Sequence, residues 1–173
     1  MKTLIAALLF TASGLAQALP DPLRQSGTDW RQWGSGEMTW FGFSLYRATL
    51  WVAGQSPSTS PADSPSALQL DYQRDISRDD LVQASIDEMR RLGASEAQLQ
   101  RWQAELQRVF PDVKDGETIV GVHYPGKGAT FFYRGRLSGE VADADFARLF
   151  FAIWLDERSR SPALRAALLT RPE

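Results

Sequence analysis

From Trp40 to Trp51 the chain reads WFGFSLYRATLW, aromatic and apolar with one glycine and no proline. That composition predicts a β-strand, whose side chains point to alternate faces. Trp40, Gly42, Ser44, Tyr46, Ala48 and Leu50 then share one face. Phe41, Phe43, Leu45, Arg47, Thr49 and Trp51 share the other. A guanidinium at Arg47 falls in a row of large apolar groups, where a cation requires a partner. ALQLDY, residues 67–72, repeats the strand pattern and ends just before Arg74.

Beyond residue 72 the apolar period lengthens from that of a strand to that of a helix. Ser77 is placed to cap a helix, with Asp79 and Asp80 in its first turn and Val82, Ile86 and Met89 as its buried stripe. Gly93 ends it. Ser95 opens a second helix, and Gln98 completes a capping box. Leu99, Trp102, Leu106 and Val109 form its apolar stripe, and Pro111 stops it. Arg90, Arg91 and Arg101 are expected on the solvated faces of these helices. Strands return with ETIVGVHY, residues 117–124, then a PGKG turn, ATFFYRG, a second turn at Gly135, and RLSGEV. Asp143 caps a helix in which Phe146, Leu149, Phe150, Ile153 and Trp154 recur at helical spacing, widened by Phe151 and Leu155. Ser161-Pro162 begins a last helix to about Leu169. The succession predicts an α+β fold, an antiparallel sheet with helices on one face. Trp102, Leu106, Phe150 and Trp154 are expected between the two layers.

Composition narrows the setting. Residues 1–18 carry Lys2, an apolar run from Leu4 to Phe10, and Ala16-Gln17-Ala18. That pattern predicts a signal peptide cleaved after Ala18, a periplasmic or secreted location, and a single domain over 19–173. Hydrophobic residues make up 43% of the chain, enough for one core. QSPSTSPADSPS, residues 55–66, predicts an exposed, mobile loop inside that domain, because strands resume after it. The net charge is −2 with no basic cluster, so no nucleic-acid partner is expected. No apolar run is long enough to span a membrane. The chain has no cysteine, which excludes disulfides, thiol catalysis and cysteine-bound zinc.

Motifs for chemistry are sparse. The hydrolase nucleophile elbow, the P-loop and the dinucleotide fingerprint are absent, so no cofactor is expected. His123 is the only histidine, and no serine sits in an elbow to pair with it. No metal-ligand spacing accompanies it. The acidic pairs Asp79–Asp80 and Asp143–Asp145 fall at helix starts, where capping explains them. No catalytic or metal-binding residue is assigned on these grounds. Arg47 and Arg74 remain. Either they line a cavity between sheet and helices, or each pairs with an aspartate at the domain edge.

Four segments together resemble the chalcone isomerase-like proteins, most closely their secreted bacterial branch. They are GSGEMTWFGFSLYRATLW, LDYQRDIS with the helix pair after it, GVHYPGKGATFFYRGRLSGEVADADFARLFFAIWLD, and SPALRAALL. The resemblance implies an open-faced β-sandwich with a ligand cleft between the antiparallel sheet and a helical layer. Plant members of the family are isomerases and place an arginine after a G-x-G-E turn. Here Gly34-Ser35-Gly36-Glu37 is followed by Met38, whose thioether donates no hydrogen bond. Tyr46, Thr49 and Tyr72 are of the types the plant site uses, in the same region.

Another branch binds fatty acids without catalysis, through an arginine and a tyrosine on the carboxylate. By residue type and region, the resemblance implies that Arg47 and Tyr46 fork onto an anionic group, with Phe43, Leu45 and Trp51 as apolar walls. The resulting expectation is a non-catalytic binder of a small amphipathic carboxylate such as a fatty acid, contacted by Arg47, Tyr46, Phe43, Thr49, Tyr72 and Arg74. Two alternatives stand beside it. One is an isomerase acting on a chalcone-like or small enone substrate. The other is an interaction module of the cell envelope, with the Ser/Pro loop toward a partner.

Overall fold

A computed structural model describes residues 19–54 and 64–170. The expected signal peptide, and residues 55–63 of the Ser/Pro-rich segment, lie outside the described residues. The strands are β1 (Trp30–Trp40), β2 (Phe43–Ala53), β3 (Ser66–Tyr72), β4 (Thr118–Tyr124), β5 (Gly128–Tyr133) and β6 (Arg136–Val141). They form one six-stranded sheet in sequential order. Every neighbouring pair is antiparallel.

The stretch 40–51 is not one strand. Phe41 and Gly42 turn the chain back, with φ of 47° and 79°. Positive φ at both central residues is the two-residue hairpin turn whose twist matches the flanking strands. Asparagine or glycine announces such a turn; a phenylalanine in its first position conceals it. From Phe43 onward the expected alternation of faces holds.

The helices are α1 (Asp21–Gln25), α2 (Arg78–Arg91), α3 (Glu96–Val109), α4 (Ala144–Leu155) and α5 (Pro162–Leu169). Side-chain hydrogen bonds set the starts of α2, α3 and α4. Ser77 Oγ accepts from the Asp80 amide, and Ser95 and Gln98 close both halves of a capping box. Asp143 accepts from the Phe146 amide at 3.0 Å.

Helices α2 to α5 cover one face of the sheet, called the inner face below. Ala48, Leu50, Val52, Leu68, Leu70, Ile119 and Phe131 meet Ile86, Met89, Trp102, Leu106, Phe146, Phe150 and Trp154 there, all buried. Phe131, Phe146 and Phe150 pack mainly edge to face, the low-energy arrangement for rings. Helix α5 lies directly on β1, where Gly34 and Gly36 leave room for its backbone. Trp33 Nε1, at a bulge in β1, donates to the Leu169 carbonyl at 3.3 Å and pins the end of α5.

The outer face is not bare. Trp30, Trp51, Ala53, Ala67, Val120 and Val122 form a second apolar patch, closed by Leu23 of α1 and by Leu19. Periodicity did not foretell α1, which is too short to show a helical stripe. Among the described residues no helix is long and apolar enough to cross a membrane.

Candidate functional site

Arg47 lies on the outer face. Its register partners are Glu37 on β1 and Asp71 on β3. Arg47 Nη2 donates to Glu37 Oε1 at 2.7 Å, with the two side chains 45% and 41% exposed. The cation in the apolar row is thus matched by a carboxylate across the hairpin. The row continues as a polar ladder over the outer face. Gln69 Nε2 donates to both oxygens of Asp71, at 3.0 and 2.9 Å. Thr118 Oγ1 donates to Asp71 at 2.7 Å, and Trp51 Nε1 donates to Gln69 Oε1 at 3.2 Å. Thr49, fully buried, stands on the same face between Ser35 and Gln69.

Exposed pairs of this kind add little stability, because water already solvates both charges. Arg47→Met is therefore expected to change folding free energy by less than about 1 kcal/mol in urea denaturation. A loss of roughly 3 kcal/mol or more would mean that the pair behaves as a buried one.

The inner face carries a different group. Tyr46 and Tyr72 are cross-strand neighbours, their rings 5.8 Å apart and edge to face. Met38 is the register partner of Tyr46 on its other side. Trp154 Nε1, from α4, donates to the Tyr46 oxygen at 3.0 Å. A phenol that accepts one hydrogen bond can still donate its own hydrogen. Burial pushes the Tyr46 phenol up to about 12, against the pull of the Trp154 hydrogen bond, and the nearby Glu88 carboxylate adds to the rise. Burial raises Tyr72 as well, with Tyr46 contributing. Both phenols keep their protons at neutral pH.

Glu88 of α2 joins this group to a pair of cations. Arg91 holds Glu88 Oε2 through Nε at 3.1 Å and Nη2 at 2.6 Å. Arg160 Nε reaches Glu88 Oε1 at 2.9 Å. Arg91 also donates to the Arg158 carbonyl at 2.6 Å, tying α2 to the connection between α4 and α5. Arg91 is 27% exposed and committed to Glu88 through two nitrogens. Arg160 is 63% exposed and shares only one close contact. The expectation that Arg91 is a solvated surface charge is corrected here, since its guanidinium braces the helical layer.

The six residues expected to meet a ligand do not converge. Tyr46 and Tyr72 face inward, whereas Arg47, Phe43 and Thr49 face outward, because successive strand residues point to opposite faces. The fork of Arg47 with Tyr46 does not form, and Phe43 walls no cleft, being 68% exposed at the hairpin end. Arg74 is exposed in the turn after β3 and makes no ion pair among the described residues. The partners that sequence reading missed are Glu88, Arg91 and Arg160. Trp154 and Met38 were visible only as a core residue and as a missing arginine. No local signal links any of them to Tyr46.

Other candidates carry less. His123 stacks on Phe151, ring centroids 5.1 Å apart, and burial lowers its pKa. Among the described residues no group of three or more acidic or histidine side chains is gathered as for a metal. A cleft of about 450 Å³ lies on the outer face beside α1, lined by Asp21, Gln69, Asp115, Glu117, Thr118 and Arg134 among others. That lining is polar and does not suit an acyl chain.

Comparison with known proteins adds two positive findings. A family model described as chalcone isomerase-like matches residues 15–170. Among solved structures, a fatty-acid binding protein from Arabidopsis thaliana superposes with a TM-score of 0.61 at 15% sequence identity. The match covers 81% of this chain and 86% of that one. At that identity the likeness is one of fold, and it agrees with the antiparallel sheet and helical layer described above. No curated protein sequence matches the chain.

Proposed function

The chain belongs to the chalcone isomerase-like family, and we propose that it is a non-catalytic binding protein for a fatty acid or a similar amphipathic carboxylate. A signal peptide cleaved after Ala18 would place it in the periplasm or outside the cell. The observation that carries the reading is the Tyr46–Trp154 pair on the inner face, flanked by Met38 and adjoining the Arg91–Glu88–Arg160 cluster. The fold neighbour's own description as a fatty-acid binding protein supports the ligand class.

The chemistry of the group favours binding over catalysis. Met38 follows Gly34-Ser35-Gly36-Glu37, which lie within strand β1 and not in the turn expected from the sequence; the family resemblance sets the arginine of the plant isomerases just after that motif. A thioether stabilises no developing anion there. Tyr46 and Tyr72, raised above their ordinary range by burial, stay protonated at neutral pH, so each keeps a hydrogen to donate and offers no phenolate as a base. Arg160, loosely held and exposed, supplies the charge for a carboxylate, and Tyr46 supplies a hydrogen bond. The alkyl chain would follow the apolar seam between the sheet and the helices. That seam is closely packed, with Tyr72 only 4% exposed, so entry requires the layers to part at this end.

Calorimetric titration of the chain from Leu19 with laurate or palmitate tests the proposal. Tyr46→Phe and Arg160→Met are each expected to weaken binding about ten-fold, near 1.4 kcal/mol. Arg47→Met is expected to leave affinity unchanged, because it lies on the opposite face. Turnover of a chalcone without fatty-acid binding would overturn the reading in favour of an isomerase.

A further inference from the structure

The β1–β2 hairpin ends in two aromatic rings that the fold leaves in solvent. Phe41 is 86% exposed and Phe43 is 68% exposed. Phe41 also stands at φ 47°, in the left-handed region that a bulky side chain seldom adopts. The β5–β6 hairpin makes the same kind of turn with Arg134 at φ 50° and Gly135 at φ 78°. There the strained position is filled by a charged residue that water solvates. At the β1–β2 tip the strained position holds a phenylalanine instead, so exposure and strain fall on the same residue.

The surroundings of the tip point to what meets it. The Gln73 amide donates to the Leu45 carbonyl at 2.9 Å, which brings the turn after β3 up to the base of the hairpin tip. Arg74 follows directly, exposed and with no ion pair among the described residues. The inner-face group lies toward this same end. Tyr46 is three residues along β2 from Phe43, and its partner Met38 is three residues before Phe41 on β1. The exposed Phe41 and Phe43 rings, Arg74 in the turn joined to the base of the hairpin tip, and the Tyr46–Met38 pair all belong to one end of the sheet.

We propose that the Phe41–Phe43 tip docks on the surface of a lipid bilayer bearing anionic headgroups. The rings enter the interfacial region, where aromatic side chains settle well. Arg74 faces the headgroups, whose surface charge attracts basic residues. Its purpose, collection or delivery of a membrane-borne carboxylate at the Tyr46 end, rests on the function proposed above. The docking itself does not.

Flotation of the chain from Leu19 with unilamellar vesicles tests the proposal. One set contains phosphatidylethanolamine and phosphatidylglycerol, the other phosphatidylcholine alone. The protein is expected to float with the anionic vesicles. The Phe41→Asn/Phe43→Ser double variant should lose at least about ten-fold in vesicle affinity, since interfacial binding scales with the apolar area inserted. Asparagine tolerates positive φ, so this variant should fold, as circular dichroism will report. Arg74→Gln should lose about five-fold, on anionic vesicles only. A wild-type protein that stays with the soluble fraction overturns the proposal, as does a double variant that floats undiminished. A dimer in sedimentation equilibrium that the double variant abolishes, without vesicle binding, also overturns it and makes the tip a contact between copies. Fatty-acid titration without vesicles reads the two ideas apart. Vesicle binding without fatty-acid binding sustains the docking tip and removes the ligand assignment. Fatty-acid binding without vesicle binding does the reverse.

Discussion

Trp102→Ala is expected to destabilise the protein by roughly 3–5 kcal/mol, measured as the shift in urea denaturation. Trp102 is 1% exposed at the centre of α3, where it packs edge to face on Phe146 at 5.8 Å. Truncation to alanine removes that contact and leaves a cavity that the surrounding rings fill only in part. It removes a second interaction as well. Trp102 Nε1 donates to Asp143 Oδ2 at 2.9 Å, while Asp143 Oδ1 caps α4 through the Phe146 amide. One side chain thus couples the body of α3 to the start of α4. Trp102→Phe separates the terms, since it keeps most of the packing and drops the donor. It is expected to cost about 1–3 kcal/mol. A loss below about 1 kcal/mol for the alanine variant would mean that α3 is peripheral to the core.

Gly34→Ala is expected to cost about 3 kcal/mol, at the upper end for an overpacked site. A Cβ at Gly34 would lie 2.3 Å from the Ala167 carbonyl oxygen and 2.5 Å from that of Leu168. Both are backbone atoms of α5, which no rotamer change can move aside. The helix must lift from β1, and its buried Leu164 and Leu168 lift with it. Full exposure of each leucine would add about 1.5–3 kcal/mol, so partial displacement is the cheaper response. Gly36→Ala is the milder comparison, since its Cβ would meet the side chains of Ala167 and Leu164 at 2.9 Å and the nearest backbone atom, Leu164 Cα, only at 3.9 Å. Thermal denaturation gives the cost. Hydrogen exchange shows where it falls, with loss of protection expected in α5 and retained in α3. Unchanged stability and unchanged protection in α5 would show that the close approach of helix to strand does not persist in solution.

The part of the fold legible in the sequence was the part made by short-range contacts. Ser77, the Ser95–Gln98 box and Asp143 cap helices through hydrogen bonds that span three residues. Their signal survives in any window of sequence, whatever packs against it. The apolar stripes of α2, α3 and α4 were legible for the same reason, and all four side chains expected between the layers are buried there. The β1–β2 turn was not, because its geometry is ordinary and its residue is not. Phenylalanine in a left-handed position reads as strand until the register of both arms is known.

The candidate site was legible only in fragments. Tyr46 and Tyr72 are picked out by type, but the Tyr46–Trp154 hydrogen bond joins residues 108 positions apart. Arg47 posed its question in the sequence and found its answer in Glu37, ten positions back across a hairpin. Alternation along β2 established that Tyr46 and Arg47 must part. Alternation has no sign, however, and which face becomes the interior depends on where α2 to α5 come to rest. The sequence alone therefore determined the elements other than α1 and the β1–β2 turn, the caps of α2 to α4, the alternation along each strand and the pattern of the chalcone isomerase-like family. Tertiary structure decided which face each residue would serve, since the burial that makes one face inward is a sum over contacts from distant parts of the chain.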